Sequence, residues 1–298
     1  MPELPEVETV VRLIRPRLVG RTVRSVDARW QRTLGGATVA EFSRALVGAR
    51  VSAVWRRAKY LVFDLERRGK PAGHLVGHLR MSGRMHVEDA QWDPGVHVRL
   101  SFTLDDGNVF HFIDVRKFGR LVFAQDLAHV FDGLGDEPLA KTFTPERLHA
   151  LLAARKRRLK PLLLDQSVVA GLGNIYVDEA LHRAKLHPLL LSTRVDLPAA
   201  KRLHSAVRTT LLAAIAREGS SFDTFYRTPE GRPGSYQRQF RVYGRGGKPC
   251  RVCHATIIKF TVGQRGTHVC PRCQPRGGRV ATARRTGSRA SVPETRCR

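Results

Sequence analysis

The sequence predicts an α+β multidomain chain. Three observations carry that prediction: short β-branched and aromatic segments in the first half, amphipathic helices in the second, and two closely spaced cysteine pairs near the end. The 298 residues suffice for two domains, each with its own core. An apolar fraction of 42% is ordinary for a globular protein.

PELPEVETVVRLIRPRLVG reads as a helix, because Val7, Val10, Val11, Ile14 and Leu18 recur at helical spacing with Arg12 and Arg15 opposite. Pro5 fits the first turn, Glu6 and Glu8 complement the positive end of the helix dipole, and Gly20 is a stop. From Thr22 to about Phe123, VSAVW, KYLVFDL, HLVGHLRM, HVRLSFTL, VFHFIDV and RLVF read as strands, with DDGN as a hairpin turn. Successive strands without intervening helices point to a β-sandwich or barrel-like domain. The loop QDLAHVFDGLGDEPLAK leads away from it. Helices resume at TPERLHALLAARKRR, where Thr144 is the N-cap, Pro145 sits in the first turn and Leu148, Leu151 and Leu152 form the apolar stripe. KPLLLDQSVV, NIYVDEALHRAKL and LPAAKRLHSAVRTTLLAAIARE continue the helices, and Gly219 ends the last. The polar, glycine-containing stretch at 220–240 is expected to be mobile. From Gln274 onward Arg, Ser, Thr and Gly dominate, so the tail is expected to be disordered and, being basic, to add salt-sensitive affinity for a polyanion. The expected division is 2–130, a linker at 131–143, a helical domain at 144–225, a connection at 226–243, a zinc hairpin at 244–274 and the tail at 275–298.

Lys and Arg number 52 against 26 acidic residues, a formal charge of +26. Such an excess attracts polyanions, DNA or RNA foremost; solubility through charge is the plainer alternative. An acidic membrane surface is less favoured, because no basic amphipathic helix with a bulky apolar face stands out. No apolar run approaches the ~18 residues of a membrane span. The first residues also lack the pattern of a secretory signal, so the expected location is cytoplasmic, at the nucleoid. Cys250 with Cys253, and Cys270 with Cys273, form a C-x2-C…C-x2-C arrangement that suits one structural Zn2+ held tetrahedrally. Disulfides are the poorer explanation in a cytosolic protein. With four thiolates filling the shell, His254 and His268 are expected at the surface and Cys297 as a free thiol.

PELPEVE at the start, RRAKYL at 56–61, HLRMSG at 78–83, DVRKFG at 114–119, GLGNIY at 171–176 and the four-cysteine hairpin follow one another in order. Together, from residue 2 to about 273, they resemble the bacterial formamidopyrimidine-DNA glycosylases, whose family also contains the endonuclease VIII-like enzymes. The resemblance implies a β-sandwich preceded by the catalytic helix, then a helical domain with a helix–two-turns–helix motif and a zinc finger, arranged around a cleft for damaged double-stranded DNA. It implies excision of 8-oxoguanine and formamidopyrimidines, followed by β,δ-elimination at the abasic site.

The residue chemistry fits. Removal of Met1 would leave Pro2 as the terminal amine; an α-amine is neutral at pH 7 roughly 300-fold more often than a lysine. Such an amine can attack C1′ of the sugar, and a secondary amine must then give an iminium cation, which favours elimination. The plain alternative is that Pro2 merely permits methionine removal. Glu3 could protonate the ring oxygen or shuttle the amine's proton. Glu6 could orient the site or simply favour the helix start. By resemblance, Lys59 reaches the lesion phosphate and donates a proton in β-elimination, and Arg265 contacts phosphate and assists δ-elimination. By resemblance, Met81, Arg116 and Phe118 would fill the hole left by a flipped base, although spacing alone favours Met81 and Phe118 as core residues. Asn174 would contact phosphate at a helix start, as small residues before it allow close approach. Lys160, with Arg155, Lys156, Arg157 and Arg158, would line the cleft. Two departures from the family pattern stand out. Val115 replaces a usual proline, and Gly95 replaces the first of two usual histidines, leaving His97 as the second and as a DNA contact. The rival readings are an endonuclease VIII-like enzyme for oxidised pyrimidines, which commonly begins PEGPE, a catalytically silent lesion-binding zinc protein, and an RNA binder. A monomer is expected, since nothing resembles a coiled coil.

Overall fold

The structure, a computed structural model, describes residues 2–221 and 226–276. The tail from residue 277, with Cys297, lies outside the described residues. Helix α1 (Leu4–Leu18) is followed by β1 (Val23–Ala28), α2 (Val39–Leu46), β2 (Arg50–Arg57), β3 (Tyr60–Arg67), β4 (Lys70–His78), β5 (Gly83–Glu88), β6 (Val98–Leu104), β7 (Val109–Asp114) and β8 (Arg120–Ala124). The strands form two antiparallel four-stranded sheets, ordered β1-β6-β7-β5 and β2-β3-β4-β8. Their inner faces, with Phe63, Leu75, Phe102 and Phe110, enclose one core, and α1 lays Val7, Val10, Val11, Ile14 and Leu18 into it. The sequence left sandwich and barrel open; two separate sheets make it a sandwich.

Two elements depart from the sequence reading. The region expected to hold strands alone contains α2, whose Thr38 hydroxyl accepts the Glu41 N–H while the Glu41 carboxylate accepts the Thr38 N–H. That reciprocal T-x-x-E cap was legible in the sequence and outweighs the β-branched Val39. The loop after β8 also holds a short helix, α3 (Ala128–Phe131).

Register decides where the chemistry sits. Tyr60 pairs with His78, His78 with Arg120, and Gly83 with Asp114. The turns at 57–60, 78–83 and 114–120 therefore gather at one end of the sandwich, bringing Lys59, Met81 and Phe118 to neighbouring loops. A cluster of charges ties this end to the segment before the helices. Arg56 binds Glu8 at 3.0 Å and Glu137 at 2.7 Å, and Glu137 also takes the Ala58 N–H at 2.8 Å and Arg57 at 3.1 Å.

The second half contains α4 (Pro145–Ala153), α5 (Leu159–Leu164), α6 (Asn174–Ala184) and α7 (Leu197–Ile215) around a core of their own, with Leu4 of α1 at its edge. Thr144 caps α4 as its sequence implies, accepting the Arg147 N–H at 3.1 Å. Hairpin β9 (Ile258–Val262) and β10 (Arg265–Val269) turns through Gly263 and Gln264, both at positive φ, as a two-residue antiparallel hairpin requires. The 220–240 stretch, expected to be mobile, is anchored in its described part: Tyr226, Thr228, Tyr236 and Phe240 are buried. Its aromatic residues outweigh its polar composition; residues 222–225 are not among those described.

Lys160 requires a correction. It was expected to line the cleft, yet its side chain is fully buried, 2.7 Å from Asp178 on α6 and 2.9 Å from the carbonyl of Gly266 on β10. Asp178 also accepts the backbone N–H of His268 at 2.9 Å. His268 is likewise buried rather than superficial, whereas His254 is exposed. A lysine on a short helix between two cores meets a carboxylate before it meets solvent, and the pair fastens hairpin to helices. Removing one partner of a buried pair strands the other charge. Lys160→Met should therefore cost about 3–5 kcal/mol in denaturant unfolding, against less than about 0.5 kcal/mol for Lys156→Met on the exposed neighbour.

Candidate active site

The first turn of α1 is pressed against the segment that opens α6. Leu4 N–H donates to the Gly171 carbonyl at 3.1 Å, and the Glu3 carboxylate accepts the N–H groups of Ile175 at 3.0 Å and Tyr176 at 3.4 Å. Glu3 thus occupies the positive end of α6, a place that attracts an anion. Glycine explains the closeness: a Cβ at Gly173 would fall 2.3 Å from the Glu3 carboxyl carbon, and one at Gly171 2.7 Å from Leu4. Glu6 is equally enclosed. It accepts the Glu3 N–H and the Ser220 N–H, each at 2.8 Å, and the Tyr176 hydroxyl. Its contacts are those of a buried junction, beyond favourable charge at a helix start.

These groups border one cavity of ≈ 320 Å³, shared by Pro2, Glu3, Glu6, Lys59, Met81, Asn174 and Arg265. Lys59 reaches it from the β2–β3 turn and donates to the Leu172 carbonyl at 2.8 Å. Asn174 donates to the Gly266 carbonyl at 3.0 Å, while its Oδ1 is buried without a protein partner. Burial pushes the Glu3 carboxyl up to about 7, with the Lys59 ammonium pulling it back and Glu6 adding to the rise. Burial also raises Glu6, against the pull of Tyr176, Ser220 and Glu3, and lowers Lys59, against the pull of Glu3 and Glu6. A carboxyl near half-protonation beside a lysine of weakened basicity is suited to proton transfer near neutral pH.

Beside the cavity stand the loop tips. Met81 is 36% and Phe118 49% exposed, so neither is a core residue. Arg116 lies over the Phe118 ring at 5.0 Å. Asp114 joins the two loops at their base, accepting the Ser82 hydroxyl and the N–H groups of Arg116 at 3.2 Å and Gly119 at 2.7 Å. Exposed His97 is 3.4 Å from Arg99, whose Nε donates to the Asp114 carbonyl at 2.7 Å. Val115 is exposed, and Gly95 lies at φ +70° in the connection between β5 and β6.

The hairpin brings its thiols together: Cys253 to Cys270 at 3.3 Å, Cys253 to Cys273 at 3.5 Å and Cys250 to Cys273 at 3.9 Å. A tetrahedron with Zn–S of about 2.3 Å has edges of about 3.8 Å, so these four residues fit zinc. His182 of α6 adds a contact the sequence did not suggest, its Nε2 3.5 Å from Cys250 Sγ.

Family models match almost the whole described chain. Residues 1–121 match the formamidopyrimidine-DNA glycosylase N-terminal domain, 134–226 its H2TH domain, and 247–276 the zinc finger found in FPG and IleRS. The chain belongs to the formamidopyrimidine-DNA glycosylase family. It is 44% identical to the formamidopyrimidine-DNA glycosylase of Roseiflexus sp. over 92% of this chain and 100% of that one. It is 43% identical to that of Symbiobacterium thermophilum over 92% and 90%. Among solved structures, a Lactococcus lactis FPG mutant in complex with Fapy-dG-containing DNA superposes with a TM-score of 0.84 at 34% identity, covering 92% of this chain and all of that one. The Lactococcus lactis Fpg with abasic-site DNA gives 0.84 at 33% identity, with the same coverage. The zinc-finger domain of the family is therefore present here, with His182, Cys250, Cys270 and Cys273 clustered as ligands of a structural zinc would be.

Sequence reasoning passed over Tyr176, Ser82, Asp114 and Glu137. The first three lie inside or beside the quoted motifs, and only burial distinguishes their polar atoms from surface ones.

The raised Glu3 has a consequence for stability. Folded Glu3 holds its proton up to about pH 7, whereas an unfolded glutamate releases it near 4.5. Stability that is intact below pH 4.5 is therefore lost as pH rises through 7, on the order of 3 kcal/mol at full ionisation. Glu3→Gln should raise Tm above the wild type by several degrees at pH 8 and hardly at all at pH 4.5, measured by thermal melts across pH. An equal shift at both pH values would contradict it.

Proposed function

We propose that this chain is a bifunctional DNA glycosylase and abasic-site lyase of base-excision repair that removes oxidised purines, 8-oxoguanine and formamidopyrimidines, from double-stranded DNA. The observation that carries this reading is the convergence of Pro2, Glu3, Glu6 and Lys59 on one cavity, with Asn174 and Arg265 at its edge. After loss of Met1, the Pro2 amine attacks C1′ as the bond to the damaged base breaks. The departing base takes a proton, and Glu3, protonated in part near neutral pH, assists by protonating the ring oxygen or relaying the amine's proton. The C1′–O4′ bond then breaks, its oxygen leaving as a hydroxyl as the ring opens, and the resulting iminium acidifies the 2′ hydrogen. Loss of that hydrogen expels the 3′ phosphate, and a second elimination expels the 5′ phosphate. Lys59 serves as proton donor in the first elimination and Arg265 assists the second. Met81, Arg116 and Phe118 fill the vacated stack, and His97 and Asn174 hold backbone phosphate. The exposure of Met81 and Phe118 supports the wedge reading over a core one. The PELPEVE start and the full Met81–Arg116–Phe118 set favour purine lesions over an endonuclease VIII-like preference. We place the enzyme in the cytoplasm, acting as a monomer at the nucleoid. No helix among the described residues is long and apolar enough to cross a membrane.

The test is borohydride trapping. Duplex containing 8-oxoguanine opposite cytosine should give a covalent adduct that is strongly reduced in Pro2→Gly, and mass spectrometry should find Met1 absent. Preferential trapping on oxidised thymine would move the assignment to the pyrimidine-directed rival. No adduct on any lesion would overturn the enzymatic reading.

A further inference from the structure

The loop bearing Arg116 and Phe118 is held in a conformation that its own sequence disfavours. Lys117, between the two, has φ +60°, a left-handed backbone that a side chain of this length rarely adopts. Hydrogen bonds account for the ends of the loop. The Asp114 carboxylate takes the N–H groups of Arg116 and Gly119, and Arg120 donates to the carbonyls of Phe118 at 3.1 Å and Gly119 at 2.9 Å. The Lys117 side chain has a partner of another kind: its ammonium stands 4.1 Å from the centre of the Trp30 ring. Among the described residues Lys117 enters no ion pair, and the nearby carboxylate of Asp114 is already fully engaged.

Trp30 is itself well held. Its backbone N–H donates to the Arg99 carbonyl at 3.2 Å, and its carbonyl accepts the Thr33 N–H at 2.9 Å in the short 3-10 turn Gln31–Leu34, while its indole Nε1 is buried without a hydrogen-bond partner. That turn is packed onto β8, since a Cβ at Gly35 would fall 2.6 Å from Val122. Arg99 also reaches the loop from its other end, with Nε on the Asp114 carbonyl at 2.7 Å. One residue therefore anchors both the backbone of Trp30 and the base of the loop.

We propose that Trp30 is a positioning residue for base extrusion: its ring face docks the Lys117 ammonium, fixing the left-handed turn and thereby the attitude of Arg116 and Phe118 before DNA arrives. This rests on the wedge role proposed above for Phe118. An indole binds a cation through its π face, and a neighbourhood this rich in Arg and Lys makes that face the best-suited seat for one more cation.

The experiment is a double-mutant cycle on single-turnover excision of 8-oxoguanine from a duplex. Trp30→Leu should slow excision opposite cytosine about two- to fivefold, the size of a cation–π contact at an exposed site, while Trp30→Phe retains most of the rate. Lys117→Met should add little further loss in the Trp30→Leu background, because the two act through one contact. On a lesion placed opposite an abasic site, where Arg116 has no orphaned base to hydrogen-bond and only Phe118 still acts, the loss in Trp30→Leu should be smaller than opposite cytosine; a merely misfolded variant would be equally slow on both. Equal slowing on both duplexes, additive losses, or no loss in Trp30→Leu would overturn the proposal. Phe118→Ala separates the two readings. If it slows excision and Trp30→Leu does not, only the positioning role fails; if it leaves excision unchanged, the wedge role fails and the positioning role with it.

Discussion

Everything at the site depends on the docking of the first turn of α1 against the start of α6. The Glu3 carboxylate lies on the Ile175 and Tyr176 N–H groups, and Glu6 binds Tyr176 and Ser220. Because Leu4 belongs to the helical core while Val7 to Leu18 belong to the sandwich core, this one helix is shared by both halves of the protein. Separating the halves would expose both apolar surfaces and leave two carboxylates without their donors. The chain terminus, ordinarily the place where order is weakest, is thereby held by burial on both sides.

The same docking produces the unusual electrostatics. In a protein of +26, buried carboxylates would be expected to ionise readily. Instead desolvation dominates at Glu3, which is only 3% exposed, and the nearby lysine offsets it incompletely. Glu8, one turn on and partly exposed, shows the contrast: desolvation there is outweighed by Arg12 and Arg56, and its carboxyl is held below the usual range. Five residues of separation along the chain thus divide a carboxyl raised by burial from one lowered by its arginine partners. The surplus cations elsewhere then serve the polyanion, whose binding weakens as salt rises.

How much of this was legible follows from which features are local. The amphipathic stripe of α1, the Thr144 cap and the spacing of the cysteines are written within a few residues, and the sequence declares them. The reciprocal cap of Thr38 and Glu41 was equally local, yet it was obscured by the surrounding strand-like composition. Lys160 and His268 were misplaced for a different reason. Each is polar in a segment that reads as surface, and only the approach of β10 to α5 and α6 gives Asp178 to both. Glu137 was passed over likewise, because its partners Arg56, Arg57 and Ala58 lie about eighty residues away.

The loops bearing Met81 and Phe118 carry this distinction into energetics. Asp114 and Ser82 are tied at the base while Met81 and Phe118 protrude, so the rigid part is polar and satisfied and the free part is apolar and exposed. Fully burying one such side chain is worth about 1.5–3 kcal/mol. With Met81 and Phe118 only a third to a half exposed, the two together would recover roughly the worth of one. Unstacking a base step costs a few kcal/mol, so on the proposed reading insertion roughly cancels the local cost and leaves no surplus to drive extrusion. On that reading the driving force comes from phosphate contacts on either side of the lesion, and the two side chains serve to keep the opened state from closing. A loop with that duty gains little from stronger apolar contact and much from being rigid beforehand. The polar staple at its base supplies that rigidity.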